Sequence, residues 1–236
     1  MDNAIAVGFM IPNTLMSNNP QEIRDFYSEN NGNLIYKSFD AGGWVQKNES
    51  VTVLKTSRVF ENHLINTKTL QSCPGIFQEL IHKEYEIRAT IIGGKVFSGA
   101  IYSQSEGETI DWRYDYKYGH TDIRSIELPE KIVEKCLALC KRLGLVFACI
   151  DLILTKTGDY VFLEVNQAGQ FLWKEEADPA MRILDYFCQY LAGAGQQQYE
   201  EHKSLTMSQF MDSTYYRNFK ERVDQKIYEN ELFTLE

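Results

Sequence analysis

The sequence predicts an α+β fold made of two lobes and a helical C-terminal extension. Alternating, β-branched segments predict two hairpins, one around Gly93-Gly94 and one over residues 147–166. Apolar residues at helical spacing predict amphipathic helices over residues 129–143 and 179–191. Pro74-Gly75 breaks the chain, and we place the lobe boundary there. The predicted units are a small lobe (1–75), a second lobe (76–195) and an extension (196–236).

Composition and charge exclude several classes of function. A net charge of −9 argues against a broad nucleic-acid surface, and no apolar run is long enough to span a bilayer. We therefore expect no nucleic acid and no membrane as partners. The five cysteines form neither CxxC nor a Cys/His zinc spacing, which is typical of buried thiols in a reducing cytoplasm.

The first lobe begins with a helix-start signature. Asn19 and Pro20 suit the N-cap and the first helical position, and Gly32 can end the helix. A strand over residues 33–39 follows, on which Lys37 shares a face with apolar neighbours. Lys37 is either an edge-strand lysine that prevents aggregation or a phosphate contact, and on this strand alone the former is favoured.

Two glycines lie in the next turn, Asp40 to Gly43, which is either a plain turn or a phosphate cover. Val51 to Leu54 predicts a strand, whereas the polar residues 57–71 predict no single structure.

The second lobe opens with a short strand over residues 76–81 and a clean alternation from Tyr85 to Ile92. Glu86, Arg88 and Thr90 lie on one face of that strand, which is either a solvated row or one aimed into a cleft. The polar and aromatic residues 105–125 predict a long loop, and loops of this length are more often functional than idle.

The hairpin over residues 147–166 carries the most specific signal. If its turn is centred on Thr157-Gly158, the residue numbers of cross-strand partners sum to 315, which places Asp151 opposite Glu164. Asn166 then points the same way as Glu164, because side chains alternate along a strand. Two carboxylates and an amide oxygen on one face are costly without a cation, and such oxygen ligands suit Mg²⁺. A salt-bridged structural hairpin is the weaker alternative.

The extension has apolar residues at intervals of four from Met207 to Ile227, which predict a helical ridge. The ridge either docks on the core of this chain or forms a self-association or partner helix. A homodimer is therefore possible.

In this order, the pieces resemble the ATP-grasp superfamily. The resemblance rests on the strand with Lys37, the segment Gln78-Glu79-Leu80-Ile81, the strand Tyr85-Glu86-Ile87-Arg88, and Asp151 with Glu164-x-Asn166. It implies an ATP-binding ligase with two α+β lobes.

The resemblance also implies roles for these residues. Lys37 contacts phosphate; Gln78, Glu79, Leu80 and Ile81 hold adenine; Glu86 lies near ribose; Arg88 lies near phosphate or the acyl group; Asp151, Glu164 and Asn166 bind Mg²⁺.

Phe77-Gln78-Glu79, Asp111-Trp112-Arg113 and the residues 163–170 are similar to peptide-modifying ligases of the microviridin or graspetide type. These enzymes are similar to ribosomal-protein glutamate ligases. The resemblance implies ATP-dependent crosslinking of a precursor peptide steered by Arg88, Asp111, Trp112 and Arg113. Full-length relatives carry a further N-terminal domain, and its expected absence leaves open a glutamate-adding ligase or a non-catalytic ATP- or peptide-binding module.

Overall fold

The computed structural model describes residues 1–39, 43–45, 51–53, 55–103, 110–112, 121–193 and 206–233, without the side chains of 43–45, 51–53 and 226–233. The strands of this part are β1 (Thr14–Ser17), β2 (Leu34–Lys37), β3 (Gly43–Val45), β4 (Val51–Val53), β5 (Ser57–Val59), β6 (Gly75–Glu79), β7 (Lys83–Ile92), β8 (Lys95–Tyr102), β9 (Asp122–Ile126), β10 (Phe147–Thr155) and β11 (Tyr160–Asn166). Its helices are α1 (Asp2–Ala6), α2 (Pro20–Glu29), α3 (Thr67–Gln71), α4 (Glu130–Leu143), α5 (Trp173–Ala177), α6 (Ile183–Leu191), α7 (Met207–Met211) and α8 (Thr214–Phe233).

The first sheet has the strand order β1-β6-β2-β5, and all its pairs are antiparallel. Helix α2 begins as predicted, since the Asn19 side chain accepts a hydrogen bond from Gln21 N and Pro20 is the first helical residue. Ile23 of α2 is completely buried with Leu34, Val59 and Phe77. The apolar face of α2 therefore covers one side of this sheet.

Strand β2 lies between β6 and β5, so Lys37 is not on an edge strand. The edge-strand interpretation of Lys37 is wrong, because β5 comes from the segment 57–71 for which the sequence predicted no single structure. That segment also contains a short 3₁₀ helix, Glu61–Leu64, and α3. Residues 40–42 of the glycine turn lie outside the described residues; β3 pairs with β4 in a separate ribbon.

The second sheet has the order β11-β10-β7-β8-β9. The predicted hairpin at Gly93-Gly94 joins β7 to β8, and Ile92 pairs with Lys95. All of strand β9 except its last residue, Ile126, falls within residues 105–125, where the sequence predicted only a loop. Its residues are largely polar because β9 is an edge strand, with few positions packed on both faces.

Helix α4 packs on the second sheet through most of the predicted apolar stripe, which was Ile132, Val133, Cys136, Leu137, Cys140 and Leu143. Ile132, Cys136 and Cys140 are buried, as is Leu139, which the stripe did not include, and Gly144 caps the helix in a left-handed conformation. They join one core with Ile87, Ala89, Ile150, Leu152 and Phe162. Burial raises the pKa of the Cys136 thiol to about 12, which agrees with the expectation of an inert core cysteine.

The chain passes between the two sheets twice. Ala4 and Phe9, near the N-terminus, pack in the core of the second sheet before β1 enters the first. Strand β6 belongs to the first sheet, and β7 returns to the second. The predicted boundary at residue 75 therefore lies at the start of a strand of the first sheet, and we propose residues 79–83 as the division.

The hairpin of β10 and β11 pairs Asp151 with Glu164, as the sequence predicted. The register near its loop differs, however, because Leu154 pairs with Tyr160 and their numbers sum to 314. Thr155 N donates to Asp159 O at 2.9 Å, so the loop holds three residues. A bulge at Leu163 restores the sum of 315 at Asp151.

In its described residues, 206–233, the extension forms α7 and α8. Met211 and Val223 of the predicted ridge are half-buried, but Tyr215 and Phe219 are 67% and 47% exposed. The side chain of Ile227 lies outside the described residues. No helix in the described part of the chain is long and apolar enough to cross a membrane.

We expect Leu152, next to the bulge in the hairpin of β10 and β11, and Leu163, within that bulge, to contribute differently to stability. Leu152 is completely buried, whereas Leu163 faces the cavity between the sheets. Leu152→Ala should lower the free energy of unfolding by about 2–5 kcal/mol, because it leaves a hole in the core. Leu163→Ala should lower it by about 1 kcal/mol or less. Urea unfolding of both variants measures this; equal losses would place Leu163 in the core.

Candidate functional site

A cavity lies between the two sheets, next to the segment where β6 leads into β7. Its lining combines charged side chains from both sheets with several apolar ones. The lining residues are Ile35, Lys37, Thr56, Gln78, Glu79, Leu80, Ile81, Lys83, Glu86, Arg88, Ile110, Asp111, Trp112, Asp151, Ile153, Leu163 and Glu164.

On the side of the first sheet, Lys37 is held in place by its neighbours. Its Nζ donates a hydrogen bond to Gln78 Oε1 at 2.8 Å, and Gln78 Nε2 donates to Thr14 Oγ1 at 3.0 Å. Gln78 is buried and pairs across the sheet with Thr14 and Ile35. This series of hydrogen bonds fixes a lysine ammonium at the cavity wall, where it can meet an anion.

The connection from the first sheet to the second is hydrogen-bonded to two other segments. Glu79 N donates to Asn13 O at 2.9 Å, and Asn13 N donates to Glu79 Oε2 at 3.2 Å. Leu80 N donates to Asn33 O at 2.9 Å. The backbone of this connection is therefore ordered before any ligand binds.

Lys83 and Glu86 form an ion pair at the cavity, and Lys83 Nζ also donates to Ile110 O at 3.1 Å. Regular alternation would put residues 83 and 86 on opposite faces. The pairing of β7 with β10 shifts after Tyr85, where Lys83 pairs with Thr155 and Glu84 is the extra residue. This bulge brings Lys83 to the face that carries Glu86.

Three charged residues lie side by side on β7, β10 and β11. Asp151 pairs with Arg88 on one side and with Glu164 on the other, and Arg88 Nε lies 2.6 Å from Asp151 Oδ1. The side chains of Arg88 and Asp151 are only 13% and 21% exposed.

The pKa of Asp151 is raised from 3.8 to about 7. Burial is the main cause; the charge of Arg88 opposes it, and Glu164 raises it further. A largely buried carboxylate next to a second, exposed carboxylate favours either a shared proton or a cation. In the described parts of the chain, no group of three His, Cys, Asp or Glu side chains could hold a metal. A cation at Asp151 and Glu164 therefore needs other oxygen atoms, such as a side-chain amide.

Aromatic and glycine residues lie behind Arg88. Its guanidinium lies 6.0 Å from the ring of Trp173, which packs 5.0 Å from Trp112 of the cavity lining. A Cβ on Gly169 would lie 3.2 Å from Arg88 Nη1 and 2.6 Å from Cys149 Cβ. Position 169 therefore lacks a side chain because the turn after β11 passes close beneath the arginine.

Solved structures similar to this chain are known. One is the macrocyclase MdnC from Microcystis aeruginosa, bound with precursor peptide MdnA. It is 33% identical, with a TM-score of 0.70 over 82% of this chain and 60% of MdnC.

Another is a RiPP-associated ATP-grasp ligase from Chryseobacterium gregarium, in complex with ADP and a leader and core peptide. It is 31% identical, with a TM-score of 0.71 over 80% of this chain and 57% of the ligase. The chain thus spans less than two thirds of these relatives. No protein-family model matches it, and a search of curated proteins found no match.

The chain belongs to the ATP-grasp superfamily. The predicted fold and the resemblance to graspetide-type ligases are thereby confirmed. The ATP-grasp fold places two α+β units on either side of one cavity, and the two sheets described above correspond to them.

The structure brings most of the predicted site residues into the cavity. These are Lys37, Gln78, Glu79, Leu80, Ile81, Glu86, Arg88, Asp111, Trp112, Asp151 and Glu164. Asn166 is not in the lining; it pairs with Cys149, and its Oδ1 accepts a hydrogen bond from Ala168 N at 2.9 Å. Arg113 lies outside the described residues. The roles of all these residues stay predictions.

Sequence reasoning missed six residues of the lining, which are Ile35, Thr56, Lys83, Ile110, Ile153 and Leu163. Two of them, Lys83 and Leu163, reach the cavity because of bulges beside them, which the alternation rule cannot anticipate. Ile35 lies on the same face of its strand as Lys37, and Ile153 on the same face as Asp151. The alternation of side chains along a strand therefore predicts where they point but not that they line a cavity.

Asp151→Asn should make the ligand-free ATP-grasp protein more stable near pH 8. When folding raises the pKa of a carboxyl, the free energy of unfolding of the protein falls as the pH rises from the unfolded-state pKa to the folded-state pKa. For Asp151 this range runs from 3.8 to about 7. Asparagine has no such loss, so we expect a gain of at least about 1 kcal/mol near pH 8 and almost none near pH 4.

Urea unfolding at both pH values measures the difference, and Glu176→Gln, at an exposed position, is the control. Lower stability of Asp151→Asn at both pH values would mean that the ion pair with Arg88 outweighs the cost of burial.

Proposed function

We propose that this protein is an ATP-dependent ligase that activates a side-chain carboxylate of a precursor peptide and crosslinks it within the peptide. The observation that carries the proposal is the cavity where Lys37, Glu86 and Arg88 meet Asp151 and Glu164 between the two sheets. The similarity to MdnC and to the Chryseobacterium ligase supports it, because those structures hold a precursor peptide, and a peptide with ADP, respectively.

ATP fits the cavity by the character of its walls. Ile35 of the first sheet and Ile153 and Leu163 of the second offer apolar surfaces for the adenine. Glu79, Leu80 and Ile81 lie at the edge where the base can be recognised by hydrogen bonds, and Glu86 is placed for the ribose. Lys37, fixed by Gln78, would bind phosphate.

Magnesium fits the same site because Asp151 and Glu164 bring two carboxylates together on one face. Asn166 follows Glu164 on that face and would supply the amide oxygen that Mg²⁺ accepts as a ligand. When bound, Mg²⁺ would neutralise the phosphates and clamp them for transfer. The raised pKa of Asp151, caused mainly by burial and further by Glu164, supports this assignment, since a cation would stabilise the ionised carboxylate.

The peptide would enter beside Arg88 and the loop that carries Asp111 and Trp112. A carboxylate oxygen of the peptide attacks the γ-phosphorus of ATP, and ADP leaves. A Ser or Thr hydroxyl or a Lys amine then attacks the acyl phosphate, and phosphate leaves with formation of an ester or an amide. Arg88 suits the carboxylate because a guanidinium group binds a carboxylate with two parallel hydrogen bonds. Arg113 is a second candidate for binding the carboxylate.

A net charge of −9 does not attract an acidic peptide at long range, so recognition should be local.

Combined Asp151→Asn and Glu164→Gln substitutions should abolish the formation of ADP from ATP and Mg²⁺ in the presence of the precursor peptide. Each carboxylate would hold the cation, and loss of one such preorganised charge typically lowers a rate by about 10²–10³. A coupled ADP assay on the folded variants measures this, with Glu176→Gln as the control. Undiminished turnover would contradict the metal assignment.

A short peptide with repeated Thr and Glu or Asp residues, encoded beside this protein, should lose the mass of one water per crosslink when incubated with protein, ATP and Mg²⁺. Ester or amide formation removes one water, and mass spectrometry detects it. A mass gain in the presence of free glutamate would instead indicate a glutamate-adding ligase. Binding of ATP without ADP release would indicate a non-catalytic module.

A further inference from the structure

Lys174, on helix α5, is completely buried and lies outside the cavity lining. Its ammonium donates three hydrogen bonds, to Arg88 O at 3.2 Å, Thr90 Oγ1 at 2.7 Å and Phe97 O at 3.0 Å. An ammonium has three N–H groups, so these acceptors satisfy it completely. Two of the acceptors, Arg88 and Thr90, belong to β7, the strand that carries Arg88 into the site.

The second sheet has an opening for this side chain. A Cβ on Gly99 would lie 3.1 Å from Lys174 Cδ and 3.3 Å from Met181 Cε. Gly99 pairs directly with Arg88 across β7 and β8. The stem of the lysine therefore lies over the sheet next to Arg88, in space that exists because residue 99 has no side chain.

Helix α5 contacts Arg88 twice through consecutive residues. Lys174 binds its carbonyl oxygen, and the ring of Trp173 lies 6.0 Å from its guanidinium. Both the main chain and the side chain of Arg88 are thus supported by one helical turn. A shift of α5 would move both together.

The helix is fixed on its other side by Glu175, which is 2% exposed. Glu175 Oε2 accepts a hydrogen bond from Leu184 N at 2.7 Å, and Oε1 accepts one from Met207 N at 2.9 Å. The same carboxylate thus meets the first turns of α6 and α7. Helix α5 is held between the strand of Arg88 and the start of the C-terminal extension.

We propose that Lys174 is a positioning residue, which holds Arg88 in the orientation that the ligase reaction requires. The proposal rests on the proposed function, because that function requires Arg88 to bind the carboxylate of the peptide.

A buried lysine is a costly way to fill a core. Burial lowers the pKa of Lys174 from 10.5 to about 7, so a methionine of similar length would fill the space without that cost. What methionine cannot do is bond the carbonyl of Arg88. The hydrogen bonds, rather than the volume, therefore distinguish Lys174 from an ordinary core residue.

The test is a double-mutant cycle of Lys174→Met and Arg88→Ala, read as ADP formation from ATP and Mg²⁺ in the presence of the precursor peptide. Lys174→Met alone should lower turnover by about tenfold or more with little change in the KM for ATP, whereas in the Arg88→Ala background it should change turnover by less than about twofold. Glu176→Gln, next to Glu175 but exposed, is the control and should match the wild type.

A second measurement does not depend on turnover. In protein labelled with ¹⁵N-arginine, the Nε–H signal of Arg88, assigned by its loss in Arg88→Ala, should be sharp in the wild type and broad in Lys174→Met. If the wild type forms no ADP, the proposed function fails, and this signal alone decides the positioning role.

Equal losses in both backgrounds, or an unchanged turnover and Arg88 signal, would overturn the proposal. If Lys174→Met does not fold, Thr90→Val replaces it, because it removes one of the three acceptors with almost no change in volume. Thr90→Val should then give the same pattern at smaller amplitude, and a wild-type pattern would overturn the proposal.

Discussion

The charges of Arg88, Asp151 and Glu164 are the constraint on which the site depends. They stand side by side on three strands. Arg88 and Asp151 are largely buried and each would be costly alone, whereas Glu164 is exposed. Burial is the main cause of the raised pKa of Asp151, which lies near 7; the charge of Arg88 opposes it and Glu164 raises it further. A metal cation would supply positive charge between the two carboxylates, so binding and stability are opposed at the same residues.

Both sheets contribute to this environment, but in different ways. The second sheet carries the three charges on long strands whose other faces pack into the largest core. The first sheet contributes Lys37 and Gln78 from short strands around a smaller core. Long strands with buried backs hold charges at fixed distances.

The sequence predicted the second sheet well because its strands are long and strongly alternating. The pairing of Asp151 with Glu164 was predicted correctly, although the loop has three residues and only the bulge at Leu163 restores the register. A second bulge, at Glu84, explains why Lys83 was missed, since it turns the side chain of Lys83 to the opposite face of β7. Strand β5 was missed because its three residues are too few for a period to be detected, and so Lys37 was expected on an edge. Contacts such as that of Lys174 with Arg88 join residues far apart in the chain, and no local pattern encodes them.

The two crossings between the sheets have a mechanical consequence. Asn13 lies on the first crossing and Glu79 on the second, and two hydrogen bonds join them. A unit attached by a single segment can turn about that segment, whereas two adjacent segments that are hydrogen-bonded to each other restrain its orientation. The orientation of the first sheet is therefore restrained with Lys37 on the wall of the cavity that also contains Asp151 and Glu164.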